Sequence, residues 1–436
     1  MIGSERSGAC MGQVWVDALL AVGQFCAAVR RGGVFLMITN SVAARPVTHP
    51  QLVSTTYRIE KWRAIPNGIL ETAGGTFLLL IAVQAYQAGS IEKALIAAGG
   101  NIGLLLTPLV VQLVERRRWP IAHSAAIIAW IGAVAFGLAA LFPTLAVYVA
   151  GAIVGVACLS ALTPLVIQIY QDNYTPSQRG HFFSRATVIR VAAAAVFAEL
   201  AGRLLTENLA AYRWLLIAFA VAFVLSALLL WLIPSRPLTM LESSNPLRGL
   251  RYLRDDRVFR TTMIVWMLMG FANLMMTPLR IEYLANPAYG LALTAQEVAL
   301  LVAIIPAIVR LVLSPAWGWL FDRMNFFVLR ITINLAFAAS ILVFFTGDSW
   351  PGLIAGAVVF GIAVSGGDLA WSLWVTKFAP PHLVADYMSV HTFFTGVRGG
   401  LAPLLAFQLV TRLSIANIGM ICTVLIVSAS LMLLPV

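Results

Sequence analysis

Long apolar runs recur along this chain, separated by short polar stretches. Each is about the 20 residues a helix needs to cross the hydrocarbon core of a bilayer. The runs predict twelve spanning helices, near 66–88, 91–114, 121–142, 145–170, 181–206, 212–233, 261–285, 295–320, 328–347, 351–376, 386–410 and 414–435. Barrel strands would alternate apolar and polar over about ten residues, and these runs do not alternate. Helices satisfy their own backbone hydrogen bonds in lipid, so an all-α membrane protein is expected.

The longest polar stretch between runs is 234–260, with Pro234, Pro237 and Pro246 followed by Arg248, Arg251, Arg254, Arg257 and Arg260. It divides the spans six and six. The expected organisation is a leader over 1–60, a six-helix bundle over 61–233, a linker over 234–260 and a second six-helix bundle over 261–436. Arginines at that three-residue spacing lie along one face of a helix, either on a membrane surface or in a solvated linker. Within the leader, the apolar runs 18–29 and 32–44 are short and interrupted by Asp17 and by Arg30 and Arg31, so no span is counted there. Met1 opens no run closed by a cleavage site, so no signal peptide is expected.

Composition sharpens this picture. Hydrophobic residues make up 60% of the 436 residues and charged ones 11%, against about 25% charged in soluble domains; the mean hydropathy is +0.89. The net charge of +11 would suggest nucleic acid in a soluble protein, but the basic residues fall mostly between spans and report topology instead. Arg58, Lys61, Arg63, Arg116, Arg117, Arg118, Arg179, Arg185, the linker arginines, Arg323, Arg330 and Lys377 belong to one face. Lys93, Arg203, Arg213, Arg280 and Arg412 belong to the other. The positive-inside rule makes the first face cytoplasmic, with both termini on it, in an inner or plasma membrane. Cys10, Cys26, Cys158 and Cys422 show no CxxC spacing, so neither a disulfide frame nor a metal or other cofactor is expected.

The second half repeats the first. AGAIVGVACLS at 150–160 aligns with AGAVVFGIAVS at 355–365, Pro176 with Pro381 and Ser184 with Ser389. A slightly longer shift sets TPLVVQLVER at 107–116 on SPAWGWLFDR at 314–323, so that Pro108 meets Pro315, Glu115 meets Asp322 and Arg116 meets Arg323. A duplicated six-span unit lets two bundles rock about a site near the bilayer midplane.

The segment GWLFDR, Gly318 to Arg323, closes the eighth span. Glycine permits close helix approach, the acid accepts hydrogen bonds from a neighbouring helix N-terminus, and the arginine binds carbonyls or carboxylates across a gate. Here the chain resembles the major facilitator superfamily, whose G-x-L-x-D-R signature follows spans two and eight. Gly318, Leu320, Asp322 and Arg323 match it; in the first-half copy Leu113 and Arg116 remain, Val111 replaces glycine and Glu115 replaces aspartate. The resemblance covers about 60–436. It implies two pseudo-symmetric six-helix bundles, secondary transport by alternating access, and a central cavity lined by spans 1, 4, 7 and 10 with help from 2, 5, 8 and 11. Span five reads AAAAVFAELAGRLL, without the glycine-proline motif of the drug-antiporter branch.

A charge inside a span costs several kcal/mol and must pair or face a water-filled cavity. The candidates are Glu71, Arg190, Glu199, Arg310, Asp368 and Arg398. Arg190, Arg310 and Arg398 lie near the midplane, where guanidinium forks would bind an anionic group of the substrate. Since the fold makes spans 1 and 5 neighbours, and 8 and 10, fixed pairs Glu71–Arg190 and Asp368–Arg310 are the alternative. Glu71 and Asp368 are also candidate carriers of a coupling proton. His391, Thr395 and Arg398 form one stripe of span 11, and Ser365, Asp368 and Ser372 one face of span 10 beside Trp371 and Trp374. Trp371 and Thr395 join the expected substrate contacts. Asn67, Gln168 and Asn273 read as helix-helix hydrogen bonds.

The expected function is transport of a small organic solute, anionic on the arginine reading, coupled to an ion, the proton first, by a monomer in the bilayer. A multispan lipid or sugar transferase is the alternative, but the chain shows no DxxD pair and no His-acid loop cluster. A transporter-like sensor would need a signalling domain.

Overall fold

The structure is a computed structural model that describes residues 49–174, 176–237, 250–346, 349–377 and 384–434. Residues 1–48 of the leader and 238–249 of the linker, Arg248 included, lie outside the described residues, as do the side chains of Asp322 and Ser372.

The described residues fold into twelve long helices. The first, α1, runs over His49–Thr72, a π turn Ala73–Phe77 and Leu78–Gln84. Then come α2 (Ser90–Arg117), α3 (Ile121–Leu141), α4 (Leu145–Asn173), α5 (Pro176–Glu207) and α6 (Tyr212–Trp231). A short helix Leu250–Asp255 precedes α7 (Arg257–Ala285). Helix α8 joins Ala295–Ala299, a π turn Leu300–Ile304 and Ile305–Arg323. The last four are α9 (Phe326–Phe345), α10 (Trp350–Leu373), α11 (Val384–Leu409) and α12 (Ile415–Leu431).

Among the described residues nine helices are long and apolar enough to cross a membrane. The other three depart for visible reasons. Helix α5 carries Arg185, Arg190, Glu199 and Arg203, α11 carries His391 and Arg398, and α12 has 17 residues. Polar side chains mark the helix starts: Thr144, Asn325, Ser349 and Ser414 each accept a backbone N–H of the following turn, and Thr294 forms a capping box with Glu297.

Helix α1 begins at His49, upstream of the apolar run expected from 66. Hydropathy missed this extension because Arg58, Glu60, Lys61 and Arg63 interrupt it. The structure buries two of these charges as a pair: Arg63 Nε and Nη2 donate to the two Glu60 oxygens at 2.7 and 2.8 Å, and Tyr170 of α4 donates to Glu60 Oε2. A neutralised bidentate pair is far cheaper to bury than either charge alone.

Helix α3 packs against α4 and α6, and α2 against α4. In the second half α9 packs against α10 and α12, α8 against α10, and α7 against α11 and α12. The two sets meet where α2 runs along α11 and α5 along α8. Close approach there and between α1 and α5 depends on glycine: a Cβ on Gly399 would strike the Asn101 amide, and one on Gly68 the Arg190 carbonyl.

Candidate functional site

Four charged side chains from α1, α5, α8 and α10 meet within the bundle. Glu71 is the penultimate residue of the regular first segment of α1, just before its π turn. Arg310 lies shortly after the π turn of α8. The extra residue of a π turn rotates the remainder of the helix about its axis, and such turns recur at functional sites. Arg190 Nη1 stands 2.8 Å from Glu71 Oε2. Arg310 Nη1 donates to Glu71 Oε1 at 3.3 Å, and Arg310 Nη2 lies 2.7 Å from Asp368 Oδ2.

The result is a chain, Arg190–Glu71–Arg310–Asp368, running from α5 through α1 and α8 to α10. Its formal charge sums to zero. Its side chains keep 24–49% of their surface exposed, so the group lines open space between helices. Ser365 and Ser314 sit beside it, their hydroxyls 3.3 Å apart. Glu71–Arg190 and Asp368–Arg310 both form, and Glu71 additionally reaches across to Arg310.

Arg398 and Thr395 are not at this chain. The stripe His391, Thr395, Arg398 on α11 turns towards α7 and is buried. Arg398 Nη1 donates to the Trp266 carbonyl, its guanidinium filling the space that a side chain on Gly270 would take. His391 Nδ1 accepts from Trp374 Nε1 at 3.3 Å. Trp371, half buried, places its ring 5.7 Å from His391. The third midplane arginine is therefore held by a backbone carbonyl, because rotation of α11 about its axis faces it to α7.

At the gate motif, Gly318 has open space where a Cβ would be, and the exposed Arg323 guanidinium lies 4.5 Å from the centre of the Trp319 ring on its own helix. Glu115 is half buried and Arg116 exposed; neither pairs with an oppositely charged side chain among the described residues. Asn67 accepts from Ser226 of α6 at 3.2 Å, whereas Gln168 donates within its own helix to Asp172.

The opposite face, which carries the α1–α2 and α7–α8 connections, is tied across the two halves. Lys93 of α2 lies 2.6 Å from Glu282 of α7, with 10% and 2% of their side chains exposed, and Asn286 also donates to Glu282 Oε1 at 2.7 Å. Gln84 Nε2 donates to the Leu293 carbonyl at 3.1 Å. Gln296 of α8 donates its backbone N–H to Thr206 Oγ1 at 3.0 Å and its side-chain amide to Glu199 of α5 at 2.9 Å. A cavity of 630 Å³ beside these ties is lined by Lys93, Thr206, Asn286 and Thr294 among others. Sequence reasoning counted Lys93 and Arg63 as loop charges and passed over Glu282 and Glu60. The available signal was a lone cation and a lone acid at the same end of α2 and α7. Among the described residues no three His, Cys, Asp or Glu side chains gather as a metal site.

Residues 64–403 match the family profile described as the Major Facilitator Superfamily. The chain belongs to the major facilitator superfamily. Its fold is shared by solved members: the nucleoside transporter NupG, at TM-score 0.69 and 13% identity, covers 87% of this chain and 98% of its own. The D-xylose–proton symporter gives 0.64 and 14%, covering 88% and 97%. The human organic anion transporter MFSD10 gives 0.60 and 14%, covering 89% and 100%. A search of curated proteins returns no match. As a superfamily member this is a multi-pass membrane transporter, not an enzyme.

Proposed function

We propose that this superfamily member is a proton-coupled secondary transporter of a small organic anion, working as a monomer in the inner or plasma membrane. The observation that carries the reading is the charge chain Arg190–Glu71–Arg310–Asp368, partly exposed and linking elements from both halves. Residues 61–233 and 261–436 act as two six-helix bundles joined by 234–260, and the chain spans their interface. The face bearing Arg116 to Arg118 is cytoplasmic, as are the termini, and the face tied by Lys93 and Glu282 is external.

The chemistry rests on charge balance. With both acids ionised the chain is neutral and each arginine has a carboxylate. A proton on Glu71 removes the partner of Arg190 and half the environment of Arg310, leaving one net positive charge on two guanidinium forks. A monovalent carboxylate or phosphate ester restores neutrality and offers the bidentate acceptor those forks prefer. Proton and anion thus stabilise each other's binding. The D-xylose–proton symporter is proton-coupled by its description and MFSD10 is an organic anion transporter; both lend support to the class.

Two measurements test this. In proteoliposomes Glu71→Gln or Asp368→Asn is expected to abolish accumulation driven by a pH gradient while solute exchange survives; unchanged accumulation in both variants refutes proton carriage. A thermal-shift screen of small solutes, repeated on Arg190→Ala, Arg310→Ala and Arg398→Ala, should find an anionic ligand lost with the first two. An uncharged best ligand indifferent to all three overturns the anion assignment.

A further inference from the structure

A second set of basic side chains lies buried inside the C-terminal half, away from the charge chain. Arg330 on α9 is fully buried, His391 on α11 likewise, and Arg398 is 8% exposed. All three gather around Trp266 of α7. The Arg330 guanidinium lies 3.4 Å from the Trp266 ring centre, the His391 ring 5.0 Å from it, and Arg398 bonds the Trp266 carbonyl.

What these groups lack is an acceptor. Arg330 Nη2 reaches only the Met269 sulfur, at 3.1 Å. Arg330 Nε and Nη1, Arg398 Nε, His391 Nε2, Trp266 Nε1, Thr395 Oγ1 and both amide atoms of Asn334 are buried with no protein partner. Among the described residues, the acids of the surrounding elements are engaged elsewhere. Asp368 pairs with Arg310, Glu282 with Lys93, and Asp256 accepts from Tyr387 at 2.9 Å, at the start of α7. Helix α12 carries no charged side chain at all. Two buried guanidiniums without a described carboxylate are strongly unfavourable unless something negative joins them.

We propose that this cluster of unmet donors between α7, α9 and α11 binds a compact inorganic anion, of the size and charge of chloride, as a permanent counterion of the C-terminal bundle. The unmet groups are nearly all donors, which selects an anion. Phe259, Trp374, Met269 and Phe326 close the surroundings with 7% exposure or less, which selects a small one over an organic solute. Cation stacking on Trp266 holds the Arg330 guanidinium flat, and its Nε and Nη1 hydrogens are left free to donate in the plane of the group. The assignment is independent of the transported solute, since its readout is stability rather than uptake.

The purified full-length protein in detergent, unfolded thermally in sodium chloride and in sodium gluconate at equal ionic strength, provides the test. Stability should rise saturably with chloride, on the order of 5 °C at saturation, and Arg330→Gln should abolish that response. Identical unfolding in the two salts, or a chloride response that survives Arg330→Gln, overturns the proposal. Because Arg330→Gln can fail to fold, crystals of the wild-type protein grown in bromide supply a second reading. An anomalous peak between Arg330 and Arg398 supports the site, and an empty position at saturating bromide overturns it.

Discussion

Replacing Glu282 by Gln should open the face of the transporter that the Lys93–Glu282 pair holds shut. At 2.6 Å two unit charges attract by about 6 kcal/mol at an effective dielectric of 20, most of it offset by the desolvation of both ions. The amide substitution keeps the shape and the Asn286 contact but strands the Lys93 ammonium, which is 10% exposed. Stranding one partner of a buried pair costs about 3–5 kcal/mol. That cost falls only on the closed state, because separating α2 from α7 returns Lys93 to water. A penalty of about 3 kcal/mol shifts the ratio of closed to open by a factor on the order of 100. Spin labels at Ile91 and Ala288, exposed positions flanking the pair, read the separation directly. The distance distribution should move to longer values in Glu282→Gln and return in the charge-swapped Lys93→Glu/Glu282→Lys. A distribution in Glu282→Gln that superposes on the wild type refutes the reasoning.

Two further outcomes concern buried groups. Glu60→Ala should cost about 3–5 kcal/mol by leaving Arg63 buried and unpaired, whereas Tyr170→Phe, which spares the bidentate pair, should cost about 1–3 kcal/mol; thermal unfolding giving the reverse order would contradict the pairing. Gly68→Ala should lower stability by about 1–3 kcal/mol, because its Cβ meets the Arg190 carbonyl. It should also weaken anion binding by moving Arg190 off Glu71, which a ligand titration on the folded variant would check.

Which charges matter was legible where a charge interrupts an apolar run. Glu71, Arg190, Arg310 and Asp368 stand out for that reason, and the neighbourhood of spans 1 with 5 and 8 with 10 suffices to pair them. The cross-link from Glu71 to Arg310 depends on how closely the halves approach, which no local pattern encodes. The stripe His391, Thr395, Arg398 was correctly seen as one face of a helix, but not what that face meets. In a soluble helix the apolar side points to the core; in lipid apolar residues coat both the exterior and the packing surfaces, so the sequence does not orient the helix about its axis. Charges near helix ends suffered the opposite error. Glu60, Arg63 and Lys93 read as loop residues because hydropathy windows end where charges begin, although each is buried by a partner distant in sequence or a turn away.

Among the described residues, two ion pairs join the first half to the second: Glu71–Arg310 at mid-span and Lys93–Glu282 at one rim. Rocking of two bundles about the midplane displaces a contact in proportion to its distance from the pivot. The rim pair must therefore break when its face opens, while the mid-span pair needs only a small adjustment. This division fits their exposures, since the rim pair is dry and all-or-none, whereas the central chain is partly open and can exchange a carboxylate for a ligand. Occupation of the centre can then decide whether the rim opens. On the proposed coupling, a proton and an anion at the chain leave its charge unchanged but replace Glu71 as the tie between Arg190 and Arg310, and a ligand that holds the two arginines differently in the two states supplies the differential affinity that any such shift requires.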